Sequence, residues 1–282
     1  MKLLDFKKLS ILSLSPKFGN NEAKALFHRL CEAYLDMDHL QVSLEPNYKV
    51  TQKVQKQFDT AIKRLLNFEP IQYILGHTVF LGETYKVTPA TLIPRPETEE
   101  LVLWIASEYS GSKKINIIDI GTGSGCIGLS LKNKLPNSEV LAVDISNEAL
   151  EIAKYNAQNL KLDITFKTQD ILSASSLGEQ QFDIVVSNPP YVRELEKAHM
   201  SRNVLEHEPS TALFVSDEDP LIYYQKIAEL FVLQQHKGAA LFFEINEFLS
   251  EQLRALLYEM GFNTIELKED FRGKKRMLKV QF

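Results

Sequence analysis

The stretch "INIIDIGTGSGCIG", residues 115–128, constrains the fold more than any other part of the chain. An apolar, β-prone run predicts a buried strand. It runs into glycines at positions 121, 123 and 125 and then into a helix through about Lys134. A strand, a glycine-rich turn and a helix start make a ligand site of the nucleotide type. The first helical N–H groups are unpaired there, and glycine lets the backbone approach a ligand. Alternation continues downstream. "EVLAVDI" leads to "NEALEIAKYNAQNL", then come "ITFKTQD" and "FDIVVS", then "PLIYYQKIAELFVLQQ", "AALFFEI" and "EFLSEQLRALLYEM". Two last strands, "NTIELKED" and "RMLKVQF", are joined by Arg272-Gly273-Lys274. This order predicts a doubly wound, Rossmann-like, mostly parallel sheet with an antiparallel last strand.

Two further features belong to strand ends. Asp144 closes the strand after the glycine turn, where a carboxylate can accept both ribose hydroxyls of an adenosine. "NPPY", Asn188-Pro189-Pro190-Tyr191, follows "FDIVVS". Two prolines make a rigid turn without backbone donors, which presents carbonyl oxygens beside a flat ring.

The first 75 residues read as helical. "NEAKALFHRLCEAYLD" places Ala25, Leu26, Leu30 and Tyr34 at helical spacing after an Asn-Asn start suited to capping. "VQKQFDTAIKRLLNF" does the same with Phe58, Ile62, Leu65 and Leu66. Character changes near Pro70, and two β-prone runs around Gly82 predict a hairpin. In "LIPRPETEELVLWIASEY", Pro96 suits a first helical turn, and Glu97, Glu99 and Glu100 suit its positive end. The expected organisation is a helical domain over 1–75, a β-hairpin linker over 76–92 and a larger α/β domain over 93–282.

Composition narrows the function. A formal net charge of −5 gives no footprint for bulk nucleic-acid binding. "FRGKKRMLK", with five basic residues from Arg272 to Lys279, reads as a solvated edge. Two distant cysteines and the histidine spacing give neither a disulfide framework nor a metal site. No apolar run approaches a membrane-spanning length, and the N-terminal "LSILSLS" is too short and serine-broken for a leader, so a cytoplasmic protein is expected.

The letters Gly123-x-Gly125-x-x-Gly128 fit a dinucleotide fingerprint. Gly121 comes straight after the strand, however, and Asp119 lies within the strand end. Gly121-Thr122-Gly123-Ser124-Gly125 therefore resembles motif I of class I S-adenosylmethionine-dependent methyltransferases, and the two closing strands resemble that family's seven-stranded sheet. Asp170 and Ile171, at the end of the third strand, would flank the adenine in that resemblance. "NPPY" resembles the signature of enzymes that methylate a planar amide or amine nitrogen. Such a nitrogen is a poor nucleophile. The Asn188 side-chain oxygen and the Pro189 carbonyl can accept its two N–H groups, and Tyr191 can lie against the amide face. Cys126 reads as a small residue in a tight helix start, and Glu244 as a strand-end charge.

Together, "PIQYILGHTVFLGETYKVTPATLIPRPETEELV", "DIGTGSGCIGLSL", "SNPPYV" and "EPSTALF" resemble the bacterial release factor glutamine methyltransferases over nearly the whole chain. The resemblance implies methylation of the glutamine in the Gly-Gly-Gln motif of peptide chain release factors on its side-chain nitrogen. It implies cofactor contacts from Gly121 to Gly125, Asp144 and Asn188, and glutamine contacts from Asn188 to Tyr191. The helical domain would help hold the release factor. Two departures stand out: "VSDEDPL" after "EPSTALF", and Asn246 where the family often has glycine after Glu244-Ile245. A glutamine methyltransferase for a ribosomal protein, an adenine-N6 methyltransferase, a nicotinamide-dependent oxidoreductase and a non-catalytic binding module are the alternatives.

Overall fold

Phe6 and Phe27 belong to one helix, α1 (Leu3–Leu35), yet their ring centroids lie 6.3 Å apart. In a straight helix the 21 intervening steps would separate them by roughly 31 Å. The helix turns back on itself at Gly19 (φ 76°, ψ 163°), three residues beyond Pro16. Proline removes a helical hydrogen bond and glycine adopts the left-handed backbone, so sequence alone accounts for the break. The computed structural model describes residues 1–282 except 112, 113, 179, 235, 237 and 282.

The chain separates into two units. The first comprises residues 1–76 and 201–207. After α1 come α2 (His39–Leu44), α3 (Gln52–Leu66) and α4 (Ile71–Leu75). Asp38 and Gln41 form a capping box on α2, and the Thr51 hydroxyl caps α3. The stripe expected on α3 is buried at Phe58, Ile62 and Leu65. On α1 the buried face is Ala23, Leu26, Phe27 and Leu30, and Ala25 points to solvent. The helix also begins at Leu3 rather than at the Asn pair, which instead follows the kink. Phe58 packs edge-on against Phe6 at 4.9 Å and tilted against Phe27 at 5.8 Å, so the folded-back helix closes around α3.

The second unit comprises residues 77–200 and 208–282. The hairpin around Gly82 forms as β1 (His77–Phe80) and β2 (Glu83–Lys86). Next come α5 (Pro96–Glu108), β3 (Ile115–Ile120), α6 (Cys126–Lys134), β4 (Ser138–Asp144), α7 (Asn147–Leu160), β5 (Thr165–Thr168) and β6 (Ile184–Ser187). Two short strands, β7 (Val192–Arg193) and β8 (Phe214–Val215), pair in parallel; the chain between them includes the short helix α8 (Arg202–His207) of the first unit. Then follow α9 (Ile222–Gln234), β9 (Ala240–Glu244), α10 (Ser250–Glu259), β10 (Thr264–Glu269) and β11 (Lys275–Gln281). Residue 235 of the expected helix and residue 282 of the expected last strand lie outside the described residues.

Seven strands form one sheet in the order β10-β11-β9-β6-β3-β4-β5. All pairs are parallel except those of β11, which runs antiparallel to both β10 and β9. The expected Rossmann-like sheet with an antiparallel last strand is therefore present. One face is covered by Tyr224, Ile227 and Phe231 of α9 with Leu253 and Leu257 of α10. The other is covered by Leu101, Trp104 and Ile105 of α5, Leu129 and Leu131 of α6, and Phe80 and Tyr85 of the hairpin. Burial on both faces explains why β6 reads as unbroken "IVVS", with all four residues buried.

The C-terminal basic run is matched by carboxylates. Arg272 faces Glu97 at 3.7 Å, Lys274 faces Glu247 at 2.9 Å and Lys275 faces Glu251 at 2.6 Å. Arg276 lies 3.5 Å from Asp270, and Lys279 lies 2.5 Å from Glu108. No helix among the described residues is long and apolar enough to cross a membrane.

Candidate active site

Sheet register brings the site together. Ile120 is abreast of both Val143 and Ser187, and Ser187 is abreast of Phe243. The residues that come next are Gly121, Asp144, Asn188 and Glu244. They stand side by side at the C-terminal ends of β3, β4, β6 and β9, the edge where open α/β sheets hold ligands. The Ser187 hydroxyl donates to the Ile120 carbonyl at 2.7 Å and ties the two central strand ends together.

A cavity opens at this edge. Its wall includes Gly121, Thr122, Gly123 and Ser124 of the turn, Asp144 of β4, and Asp170 and Ile171 beyond β5. Asn188, Pro189 and Pro190 beyond β6 complete that side, and Arg95 and Thr98 enter from the start of α5. Gly125 and Tyr191 adjoin these residues in the chain but are not part of the lining. Gly125 begins α6 at φ 83°, and a Cβ there would lie 2.9 Å from Leu129 Cδ1 and 3.2 Å from Ala153 Cβ. The positive φ, with Ala153 of α7 close by, favours glycine there.

The turn is held by two carboxylates. Asp144 Oδ2 accepts from Gly123 N at 2.8 Å, and Oδ1 accepts from Ser146 N at 2.9 Å. Burial raises the Asp144 carboxyl above its ordinary range, opposed by these backbone donors. Asp119, fully buried, accepts from the Thr122 hydroxyl at 2.6 Å and from Gly128 N at 2.9 Å. Burial pushes its carboxyl up to about 6. Burial also pushes the Cys126 thiol up to about 12, which leaves it protonated and unsuited to nucleophilic attack.

Behind "NPPY" lies a polar cluster that sequence reasoning did not assemble. Glu244 is 1% exposed. Its Oε2 accepts from the Thr98 hydroxyl at 2.6 Å and its Oε1 from the Tyr191 hydroxyl at 3.0 Å. Asn188 Nδ2 lies 3.4 Å from Thr98 Oγ1. Burial raises both the Glu244 carboxyl and the Tyr191 phenol, and Arg276 opposes each shift. The phenol therefore stays protonated and donates. Glu244 is thus a buried acceptor rather than a strand-end charge facing solvent. Asn246, the departure from glycine, donates to the Tyr191 carbonyl at 3.0 Å and to Glu196 at 2.9 Å. Asp217, within the departing "VSDEDPL", accepts from Leu195 N at 3.1 Å. Arg95, between its two prolines, meets buried Glu208 at 2.5 Å, and the same carboxylate accepts from Ile93 N at 3.2 Å. The only advance signal for these partners was that Thr98 and Glu208 sit inside the dense motifs "PRPETE" and "EPSTALF".

An adenosine-type methyl donor fits this wall. Asp144 presents carboxylate oxygens at the strand end, Ile171 supplies an apolar face, and the buried Ser124 adds a hydroxyl.

Comparison with known proteins agrees with the geometry. A family profile described as "Methyltransferase small domain" matches residues 100–215, and one described as "PrmC N-terminal domain" matches residues 17–76. A solved structure titled as the hMettl16 catalytic domain in complex with MAT2A 3′UTR hairpin 1 superposes with a TM-score of 0.59. It has 18% identity over 91% of each chain, a likeness of fold alone. A curated protein of Flavobacterium psychrophilum named "Release factor glutamine methyltransferase" is 43% identical over 100% of both chains. One of the same name from Bacteroides thetaiotaomicron is 42% identical over 94% of this chain and 95% of its own. With full-length identity of this order, on a methyltransferase fold whose glycine turn and "NPPY" share one sheet edge, the chain belongs to the release factor glutamine methyltransferase family.

Proposed function

We propose that this protein transfers a methyl group from S-adenosyl-L-methionine to the side-chain amide nitrogen (N5) of the glutamine in the Gly-Gly-Gln motif of peptide chain release factors. The observation that carries the reading is the register that sets Asn188 beside the glycine turn, in a chain with full-length relatives of that name. The cofactor supplies an electrophilic methyl group on a sulfonium.

The protein's own residues do the rest. Gly121 to Ser124 and Asp144 hold the donor, with Asp170 and Ile171 beside the adenine. The Asn188 side-chain oxygen and the Pro189 carbonyl accept the two amide N–H groups, which aims the nitrogen lone pair at the methyl carbon. The same acceptors favour the positive charge that develops on nitrogen. With the donor bound, the amide nitrogen held by Asn188 and Pro189 would accept the methyl group, the sulfonium would leave as a thioether, and one N–H proton would pass to water. Pro190 stiffens the turn, and Tyr191 anchors its far end. Residues 1–75 are read as the part that recognises the release factor, 76–92 as a connector and 93–282 as the catalytic domain. A cytoplasmic site of action and a protein rather than nucleic-acid substrate complete the proposal. Net charge and the paired basic run support the latter.

The test is incubation with radiolabelled cofactor and, in parallel, a release factor, a ribosomal protein and nucleic acid. Label in the release factor is expected, with a one-methyl mass gain confined to the Gly-Gly-Gln peptide. Label in nucleic acid alone, or methylation elsewhere in the release factor, overturns the reading. Asn188→Ala is expected to lose turnover by about 100-fold or more while keeping its fold.

A further inference from the structure

We infer that Thr98 and Glu244 are positioning residues that determine which end of the Asn188 amide faces the cavity. The inference rests on the reading of Asn188 as the acceptor for the substrate amide.

An asparagine side chain has a donor end and an acceptor end of nearly the same shape. Only the oxygen end can receive a substrate N–H. The reversed rotamer would present hydrogens to hydrogens. Something must therefore break the symmetry, and the protein has a short chain of contacts that does.

It begins at Glu244, the last residue of β9, whose side chain is buried. A carboxylate offers only acceptors. Thr98 Oγ1, at 2.6 Å, must spend its single hydrogen on Glu244 Oε2. What remains on that oxygen is lone-pair density. The Asn188 group that faces it at 3.4 Å must then be the NH2 end. Oδ1 is left for the cavity, whose wall Asn188 helps form. With Glu244 ionised, the polarity is transmitted from carboxylate to hydroxyl to amide.

Glu244 holds the other end of the motif as well, since Tyr191 donates to its second oxygen at 3.0 Å. One buried carboxylate thereby fixes the first and last residues of "NPPY", and the prolines between them leave little slack. Asn246 adds a third tie, to the Tyr191 carbonyl at 3.0 Å.

The test is steady-state methyl transfer to a purified release factor by the full chain, with direct measurement of cofactor affinity. Thr98→Val keeps shape and removes the hydroxyl. It is expected to lower kcat by about tenfold or more, with cofactor Kd and release-factor KM within about twofold of wild type. Thr98→Ser returns the hydroxyl and is expected to recover kcat to within about threefold. Thr98→Ala, which cannot overcrowd the site, repeats the loss. Wild-type kcat in Thr98→Val and Thr98→Ala overturns the inference while Asn188→Ala is inactive, as does a loss that Thr98→Ser does not recover. An active Asn188→Ala enzyme instead overturns the underlying reading of Asn188.

Discussion

At the scale of single residues, the site divides by how far apart its partners lie in sequence. Asp144 and Asn188 were legible because each closes a strand, and the ends of parallel strands share one edge whatever the details. Glu244 closes a strand too, but its burial depends on Thr98 and Tyr191, far away along the chain. No local pattern reports such a meeting. Gly125 shows the converse. Its place in the turn suggests ligand contact, and the space beside its Cα also lies close to Leu129 and Ala153. Gly125→Ala combines a positive φ with an overfilled contact, and a loss of about 1–3 kcal/mol in denaturant unfolding is expected. Unchanged stability would show that the helix start can shift without penalty.

Among elements, periodicity found most helices and strands but misjudged α1. The Asn pair before "EAKALFHRLCEAYLD" reads as a helix start, whereas the helix already runs from Leu3 and the pair follows its kink. Pro16 and Gly19 look like an ending, yet they mark a reversal, because the two arms bury their faces against each other and α3. The reversal places Lys7 Nζ 3.4 Å from His28 Nε2, and α2 brings the His39 ring to 4.2 Å from the His28 ring. Burial first, then Lys7 and His39, depress the His28 pKa to about 4. The unfolded chain therefore binds the proton more readily, so stability is complete above the ordinary histidine value near 6.5 and is lost as pH falls toward about 4. The melting temperature should drop between pH 7.5 and pH 5, and His28→Leu should flatten that drop. An identical slope in the variant would remove His28 as its source.

For the whole molecule, the sheet was the most legible feature and the distribution of charge the least. Strand–helix alternation limits a chain to very few topologies, and a closing strand–turn–strand makes the last pair antiparallel. The basic run near the C-terminus could be read only as a count of charges, since its carboxylate partners come from α5, α10 and the turns beside them. The placement of β11 between β9 and β10 carries one more consequence, which concerns time. β10 is made before β11 but meets the sheet only through it. Assembly must therefore run out of chain order: β11 crosses to β9 first or arrives already paired with β10 as a hairpin. In pulse-labelled amide exchange during refolding, β10 should gain protection no earlier than β11, and earlier protection of β10 would contradict this. The outermost strand of the sheet waits for its younger neighbour.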